Sequence, residues 1–170
     1  MTTPLAYCPR CAHALVDAPH GGRTRRACPE ARCGFVFWDN PTPVVAAIVE
    51  RNDKVVLARS VGWPEKWFGL VTGFLERGES PEEGVLREVE EELGLRAELK
   101  ALVGVYAFRR MNQVIVAYHV EAHGGQITLD ETELAAYKEV PLAKVRPWRA
   151  GTGQALMEFL RERGFAPEYL

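Results

Sequence analysis

The stretch GFLERGESPEEGVLREVEEELGL, residues 73–95, decides how this chain reads. Its second part is a helix with both ends marked. Ser80 is a good N-cap, Pro81 suits the first helical turn, and Glu83 stands at the capping-box spacing. Gly94 ends the helix, and Val85, Val89 and Leu93 recur every four residues as its buried stripe. The remainder is acidic: eight glutamates and two arginines give a local charge of -6 in a chain whose net charge is -2. Glu82, Glu83 and Glu90 read as a solvated face. Glu88, Glu91 and Glu92 need more, because they share one turn near the helix C-terminus, where mutual repulsion and the helix dipole both oppose them. Divalent cations remove both costs, and carboxylate oxygens suit hard ions, Mg²⁺ or Mn²⁺, better than zinc. Arg87 is placed to pair with Glu91 or another carboxylate across the turn. Hard cations beside a glycine-bearing turn suit phosphoryl or pyrophosphoryl chemistry, and Gly73 allows the backbone to approach phosphate or metal. No G-K-[ST] follows at the spacing of a P-loop.

Working outward, VVAAIVE (44–50) and KVVLARS (54–60) read as strands joined by a tight turn at residues 51–53. A short strand is expected at 69–72 inside a glycine-punctuated loop. After the helix, LVGVYAFRR (102–110) and NQVIVAYHVEA (112–122) read as strands with their turn at Arg109–Asn112. Residues 124–145 predict a turn, a short strand, a loop and another strand. Residues 154–163 predict a final helix with Leu156, Phe159 and Leu160 facing inward. A sheet with two main helices makes this an α/β domain.

Toward the N-terminus, FVFWDNPTP (35–43) is an extended connection that places a boundary near residues 38–42. Before it stand the only cysteines, Cys8, Cys11, Cys28 and Cys33, spaced C-x2-C and C-x4-C. Two such pairs close on one tetrahedral Zn²⁺. Four thiolates leave no open position, so the zinc is expected to be structural. Residues 1–38 hold few large apolar side chains, so metal binding would supply their folding free energy. Two disulfides are the alternative, and the absence of an export signal at the N-terminus argues against them. His13 and His20 are weaker rival ligands. Arg23, Arg25 and Arg26 sit in GGRTRR, read as a solvated glycine-rich turn.

Residues 73–95 match the Nudix box without a gap: Gly73, five residues, Glu79, seven residues, Arg87-Glu88, Val89, one residue, Glu91-Glu92, one residue, Gly94, Leu95. The chain as a whole resembles the zinc-ribbon branch of the Nudix family, which includes NADH, ADP-ribose and FAD pyrophosphatases. The resemblance implies an α/β/α sandwich with a mixed sheet over residues 39–170, preceded by a four-cysteine zinc ribbon over 1–38. It implies metal-dependent hydrolysis of a nucleoside diphosphate linked to another moiety, of the ADP-ribose, NAD(H) or FAD type, releasing a nucleoside monophosphate. By the same resemblance Glu88, Glu91 and Glu92 hold Mg²⁺ or Mn²⁺. Glu79 assists through water or a further metal, Arg87 orients the carboxylates, and the Thr72 carbonyl touches metal. A late glutamate acts as ligand or base; Glu133 is the preferred counterpart and Glu131 its rival.

The chain departs from the NADH pyrophosphatase pattern S-Q-P-W-P-F-P-x-S after the box. VYAFRRMNQV (105–114) keeps little of it beyond Phe108 and Gln113. Phe108, Arg109, Arg110 and Gln113 still offer a ring, guanidiniums and an amide for a nucleotide. The rival functions are a nucleoside triphosphate pyrophosphohydrolase, an RNA decapping enzyme, and a nucleotide- or RNA-binding sensor that does not cut. The net charge of -2 argues against a general nucleic-acid binder, and no apolar run approaches a membrane span. A small-molecule nucleotide is therefore the expected partner, and a cytoplasmic setting the expected location. A homodimer is implied by resemblance.

Overall fold

Residues 5–170 are described by the computed structural model, and the chain separates into two units between Asn40 and Pro41. The expected ribbon module starts at residue 1, so its first four residues lie outside those described. In the first unit β1 (Val16–His20) pairs antiparallel with β2 (Arg23–Ala27). Gly21 and Gly22 alone make the turn, because His20 already pairs with Arg23. Arg23, Arg25 and Arg26 are thus strand residues, which corrects their reading as a loop. Arg25 stacks over the Trp38 ring at 4.8 Å and donates to the Trp38 carbonyl, while Arg26 lies 3.7 Å from Asp17. Among the described residues of this unit only Cys8, Leu15 and Ala27 are buried hydrophobic side chains.

The second unit is built on β3 (Thr42–Arg51), a run of small and β-branched residues that suits a strand buried on both faces. It pairs in parallel with β7 (Gln113–Ala122) and antiparallel with β4 (Lys54–Ser60) and β5 (Val71–Phe74). Antiparallel β6 (Ala97–Phe108) and β8 (Leu134–Pro141) complete the mixed sheet in the order β6-β7-β3-β4-β8, with β5 beside β3. Asn52 and Asp53 both have positive φ, which shapes the two-residue turn between β3 and β4.

Alternate β3 side chains face opposite layers. Val45, Ala47 and Val49 meet Val85, Val89 and Leu93 of α1 (Pro81–Leu93). Val44, Ala46 and Ile48 meet Leu156, Phe159 and Leu160 of α2 (Gly153–Glu162). This is the α/β/α sandwich with a mixed sheet. Both helices lie where their apolar spacing predicts them, and no helix among the described residues is long and apolar enough to cross a membrane.

Two differences have local causes. The strand expected from residue 102 begins at Ala97 and reaches that length through two register shifts against β7. The short strand expected between residues 124 and 133 is absent. Thr128 and Asp130 instead donate their N–H groups to the Leu93 and Glu92 carbonyls, so this segment completes the end of α1 rather than a sheet. Ile127 and Leu129 join the core beneath it.

Candidate functional site

The local chemistry of α1 sets the site. The Ser80 hydroxyl accepts from the Glu83 N–H at 3.2 Å, and the Ser80 N–H donates back to the Glu83 carboxylate at 2.8 Å. Gly94, with φ 64°, closes the other end through its N–H on the Glu90 carbonyl. Within this helix and just before it, Glu88, Glu91 and Glu79 are gathered around one side-chain cation, Arg87. Arg87 Nε and NH2 grip the two Glu79 oxygens at 3.0 and 2.8 Å. Its NH1 serves Glu88 and Glu91, each at 2.8 Å, and its NH2 also reaches the Phe74 carbonyl at 3.1 Å.

Glu88 and Glu92 are buried, whereas Glu91 is exposed. Glu88 fits only because residue 73 is glycine, since a Cβ at Gly73 would overlap the Glu88 carboxylate. Burial raises the Glu88 carboxyl above the usual range, against the pull of Arg87. Burial, followed by the charges of Glu88, Glu133, Asp130 and Glu91, pushes Glu92 up to about 8. Glu79 goes the other way. Its bonds to Arg87 and then to the Glu76 N–H hold it at about 2.

Two cavities of about 410 Å³ each meet this wall, and Thr72 and Glu133 line both. One is also lined by Ser60, Val61, Leu70 and Glu92. The other is lined by Phe74, Glu76, Arg87, Glu88, Glu91 and Gln113. The structure therefore brings together Thr72, Arg87, Glu88, Glu91, Glu92, Glu133 and Gln113. Glu79 stands behind Arg87 and lines neither cavity, and neither does Glu131. Phe108 packs against the α2-side core, and Arg109 and Arg110 are exposed in a 3-10 turn, Arg109–Met111. None of those three lines either of these two cavities.

Sequence reasoning missed Phe74, an exposed ring on the cavity wall, although its place directly after Gly73 was a signal. It also treated Glu82 as merely solvated. The Tyr118 hydroxyl donates to Glu82 at 2.8 Å and ties α1 to β7. On the α2 side a trio was not anticipated: buried Glu50 accepts from the exposed Arg163 at 2.7 Å and lies 2.8 Å from buried His119.

In the first unit the four cysteine sulfurs lie within 4.8 Å of one another. Cys8–Cys33, Cys11–Cys33 and Cys11–Cys28 are separated by 3.6, 3.5 and 3.4 Å. A tetrahedron of Zn–S bonds has edges of about 3.8 Å, so the donor set fits a zinc ion. The Arg10 N–H points at Cys8 Sγ at 3.4 Å. Burial opposes the Cys8 thiolate, yet this bond, the Cys11 amide and the neighbouring thiols bring it down to about 7. His13 Nδ1 lies 3.4 Å from Cys11 Sγ but is outside the cluster.

A curated relative, the NAD-capped RNA hydrolase NudC of Pseudomonas syringae pv. tomato, is 32% identical over 165 residues, which is 95% of this chain and 58% of the relative. The NudC of Pseudomonas fluorescens (strain Pf0-1) is 28% identical over 128 residues, 75% of this chain and 45% of the relative. The chain thus spans about half the length of these curated relatives. A crystal structure of a NUDIX hydrolase from Nitrosomonas europaea superposes with a TM-score of 0.76 at 23% identity, covering 98% of this chain and 97% of that one. That likeness concerns the fold. The family model for the NUDIX domain matches residues 40–159, the β3-to-α2 unit with its acidic helix, and the chain belongs to the Nudix family.

Proposed function

We propose that this chain is a divalent-cation-dependent pyrophosphohydrolase acting on a nucleoside diphosphate linked to another moiety. The substrate is of the ADP-ribose, NAD(H) or FAD type, and a nucleoside monophosphate is released. One observation carries the reading: buried Glu88 with Glu91 lines one cavity, buried Glu92 lines its neighbour, Glu133 lines both, and Arg87 is hydrogen-bonded to Glu88 and Glu91. Burying that much like charge is costly unless cations share it. The donors are carboxylate oxygens, which fit Mg²⁺ or Mn²⁺. Such cations, when bound, neutralise diphosphate oxygens and acidify water.

The chain's own groups divide the remaining work. Glu88, Glu91 and Glu92, with the Thr72 carbonyl, hold the cations. Arg87 keeps Glu88 and Glu91 in position, and Glu79 fixes the Arg87 fork from behind. Glu133, which lines both cavities, takes the proton of the attacking water. Phe74 and Gln113 offer a ring face and an amide to a nucleotide base. The relatives named as NAD-capped RNA hydrolases support a diphosphate with a nucleoside on each side. In the first unit the four thiolates hold structural zinc, as in the zinc-ribbon branch. Reduced thiols suit a cytoplasmic setting, and sedimentation tests the dimer implied by resemblance.

The test is product analysis with ADP-ribose, NADH, FAD and nucleoside triphosphates, each with Mg²⁺ and with Mn²⁺. Nucleoside monophosphate release from one of the first three is the expected result. Pyrophosphate release from triphosphates alone would replace the substrate class. Tight nucleotide binding with no product from any of them would make the chain a sensor.

A further inference from the structure

Thr72 and Glu133 line both cavities, so a diphosphate held at the glutamates has room on two sides. On one side stand Phe74 and Gln113. The other side is lined by Val61 and Leu70, the two ends of the loop VGWPEKWFGL, residues 61–70. That loop is pinned where it leaves the wall. The Val61 N–H donates to the Glu133 carbonyl at 2.7 Å, and Gly69 exchanges two backbone bonds with Ala58, at 2.8 and 2.9 Å. Its interior is ordered by further turns, Trp63 N–H to Ser60 at 3.1 Å and Trp67 N–H to Pro64 at 2.9 Å.

The loop carries two indoles in water. Trp63 is 43% exposed and Trp67 64% exposed, and neither belongs to a core cluster, unlike Phe68 and Trp148. Trp63 is nevertheless braced. Its ring lies 3.3 Å from the point a Gly69 side chain would occupy, and the Trp148 ring is 4.0 Å from that point. A stiff loop that begins and ends on a polar cavity and displays two broad aromatic faces is suited to one chemistry, the stacking of a planar ring.

We propose that Trp63 and Trp67 form a stacking shelf for the second planar ring of a dinucleotide substrate, the ring across the diphosphate from Phe74. This rests on the diphosphatase reading above and deepens it. The shelf makes substrates with a ring at each end, such as NADH and FAD, bind better than ADP-ribose, whose single base stacks at Phe74. Trp67 is the open face and Trp63 the braced one.

The experiment compares wild type with Trp67→Ala and Trp67→Phe. NADH binding is followed through tryptophan emission with no divalent cation added, and kinetics with Mg²⁺ are then measured on NADH, FAD and ADP-ribose. Trp67→Ala is expected to weaken NADH binding and raise KM for NADH and FAD about 5- to 100-fold. ADP-ribose should be unaffected, and Trp67→Phe should recover most of the loss. Circular dichroism of Trp67→Ala verifies the fold. NADH binding that is absent from wild type, or indifferent to Trp67, overturns the shelf, as does an equal loss on ADP-ribose. The two readings fail separately. Trp67-dependent binding without cleavage keeps the shelf and discards the hydrolase, and cleavage with Trp67-independent binding does the reverse.

Discussion

The two units of this chain gather unlike donor sets in unlike surroundings. In the first, the described residues bury little beyond Cys8, Leu15 and Ala27, and the four sulfurs already stand close to tetrahedral spacing. In the second, β3 is covered on both faces by helices, and Arg87 stands between the Glu88 and Glu91 carboxylates. The first unit has soft donors and little core, so the proposed zinc would supply its fold. The second has hard donors and two core layers, so the proposed cations would serve chemistry while the core carries the fold.

Removing zinc should expose that contrast most strongly. Binding to structural sites of this kind is worth about 10–16 kcal/mol, more than the hydrophobic burial of a short hairpin can replace. Chelation, or Cys8→Ser, is expected to abolish amide protection in β1 and β2 while β3, β4 and β7 stay protected. Hydrogen exchange alongside zinc analysis reads this directly. A hairpin that remains protected without zinc would show that the first unit folds on its own contacts.

Next in size is Glu92→Gln, which should lower kcat by roughly 10²–10⁴-fold if the carboxylate holds the reacting assembly. The same substitution should not unfold the protein, because it removes charge from a buried site. The pH dependence of metal-free stability separates the two effects. An unfolded glutamate titrates near 4.5, whereas burial and neighbouring carboxylates lift Glu92 to about 8. Between these values the folded protein holds a proton that the unfolded chain has released, so stability is greatest below the lower value and falls as pH rises toward 8. Glu79 has the reverse sign. Held at about 2 by Arg87, it contributes stability above 4.5 that disappears as pH falls toward 2. Glu92→Gln should flatten the alkaline limb of Tm against pH and leave the acid limb in place, and Glu79→Gln should do the converse. An alkaline limb that persists in Glu92→Gln would assign it to other groups.

What the sequence disclosed tracks the range of the interactions concerned. The capping box of Ser80 and Glu83, the Gly94 stop and the strand at 54–60 depend on neighbours within a few positions, and all were legible. The segment at 124–133 was not, because it is shaped by the Glu92 and Leu93 carbonyls at the far end of a packed helix. The trio of Glu50, His119 and Arg163 joins residues as much as 113 positions apart, and no local pattern announces it. The closeness of Glu88, Glu91 and Glu92 was legible because a helix converts spacing into proximity, but their division between two cavities was not. The groups expected from the loop after it, Phe108, Arg109 and Arg110, had only composition behind them, and the structure puts Gln113 alone on the cavity wall.

Gly73→Ala asks how tightly the second unit holds its donors. The added Cβ would overlap the Glu88 carboxylate, which lies against β5 and must shift or take the strand with it. A displacement of about 1 Å at a reacting site can cost on the order of 10²-fold, so kcat should fall by about that much. Tm should change far less, and zinc content not at all. Full activity in Gly73→Ala would mean that Glu88 has freedom the packing does not suggest.

The smallest effect should come from Ser80→Ala. The substitution removes one hydrogen bond, the hydroxyl accepting from the Glu83 N–H, and leaves the Glu83 carboxylate on the residue 80 N–H. Loss of a serine N-cap costs about 0.5–2 kcal/mol, and the surviving half of the box favours the lower end. Three features downstream confine the damage to the first turn. Val85, Val89 and Leu93 are fully buried, Tyr118 still holds Glu82, and Gly94 still closes the far end. Glu88, Glu91 and Glu92 lie beyond that turn, so kcat should stay close to wild type while urea unfolding shows the loss. A drop in kcat comparable to that of Gly73→Ala would mean that the helix start, and not its packed stripe, sets the position of the carboxylates.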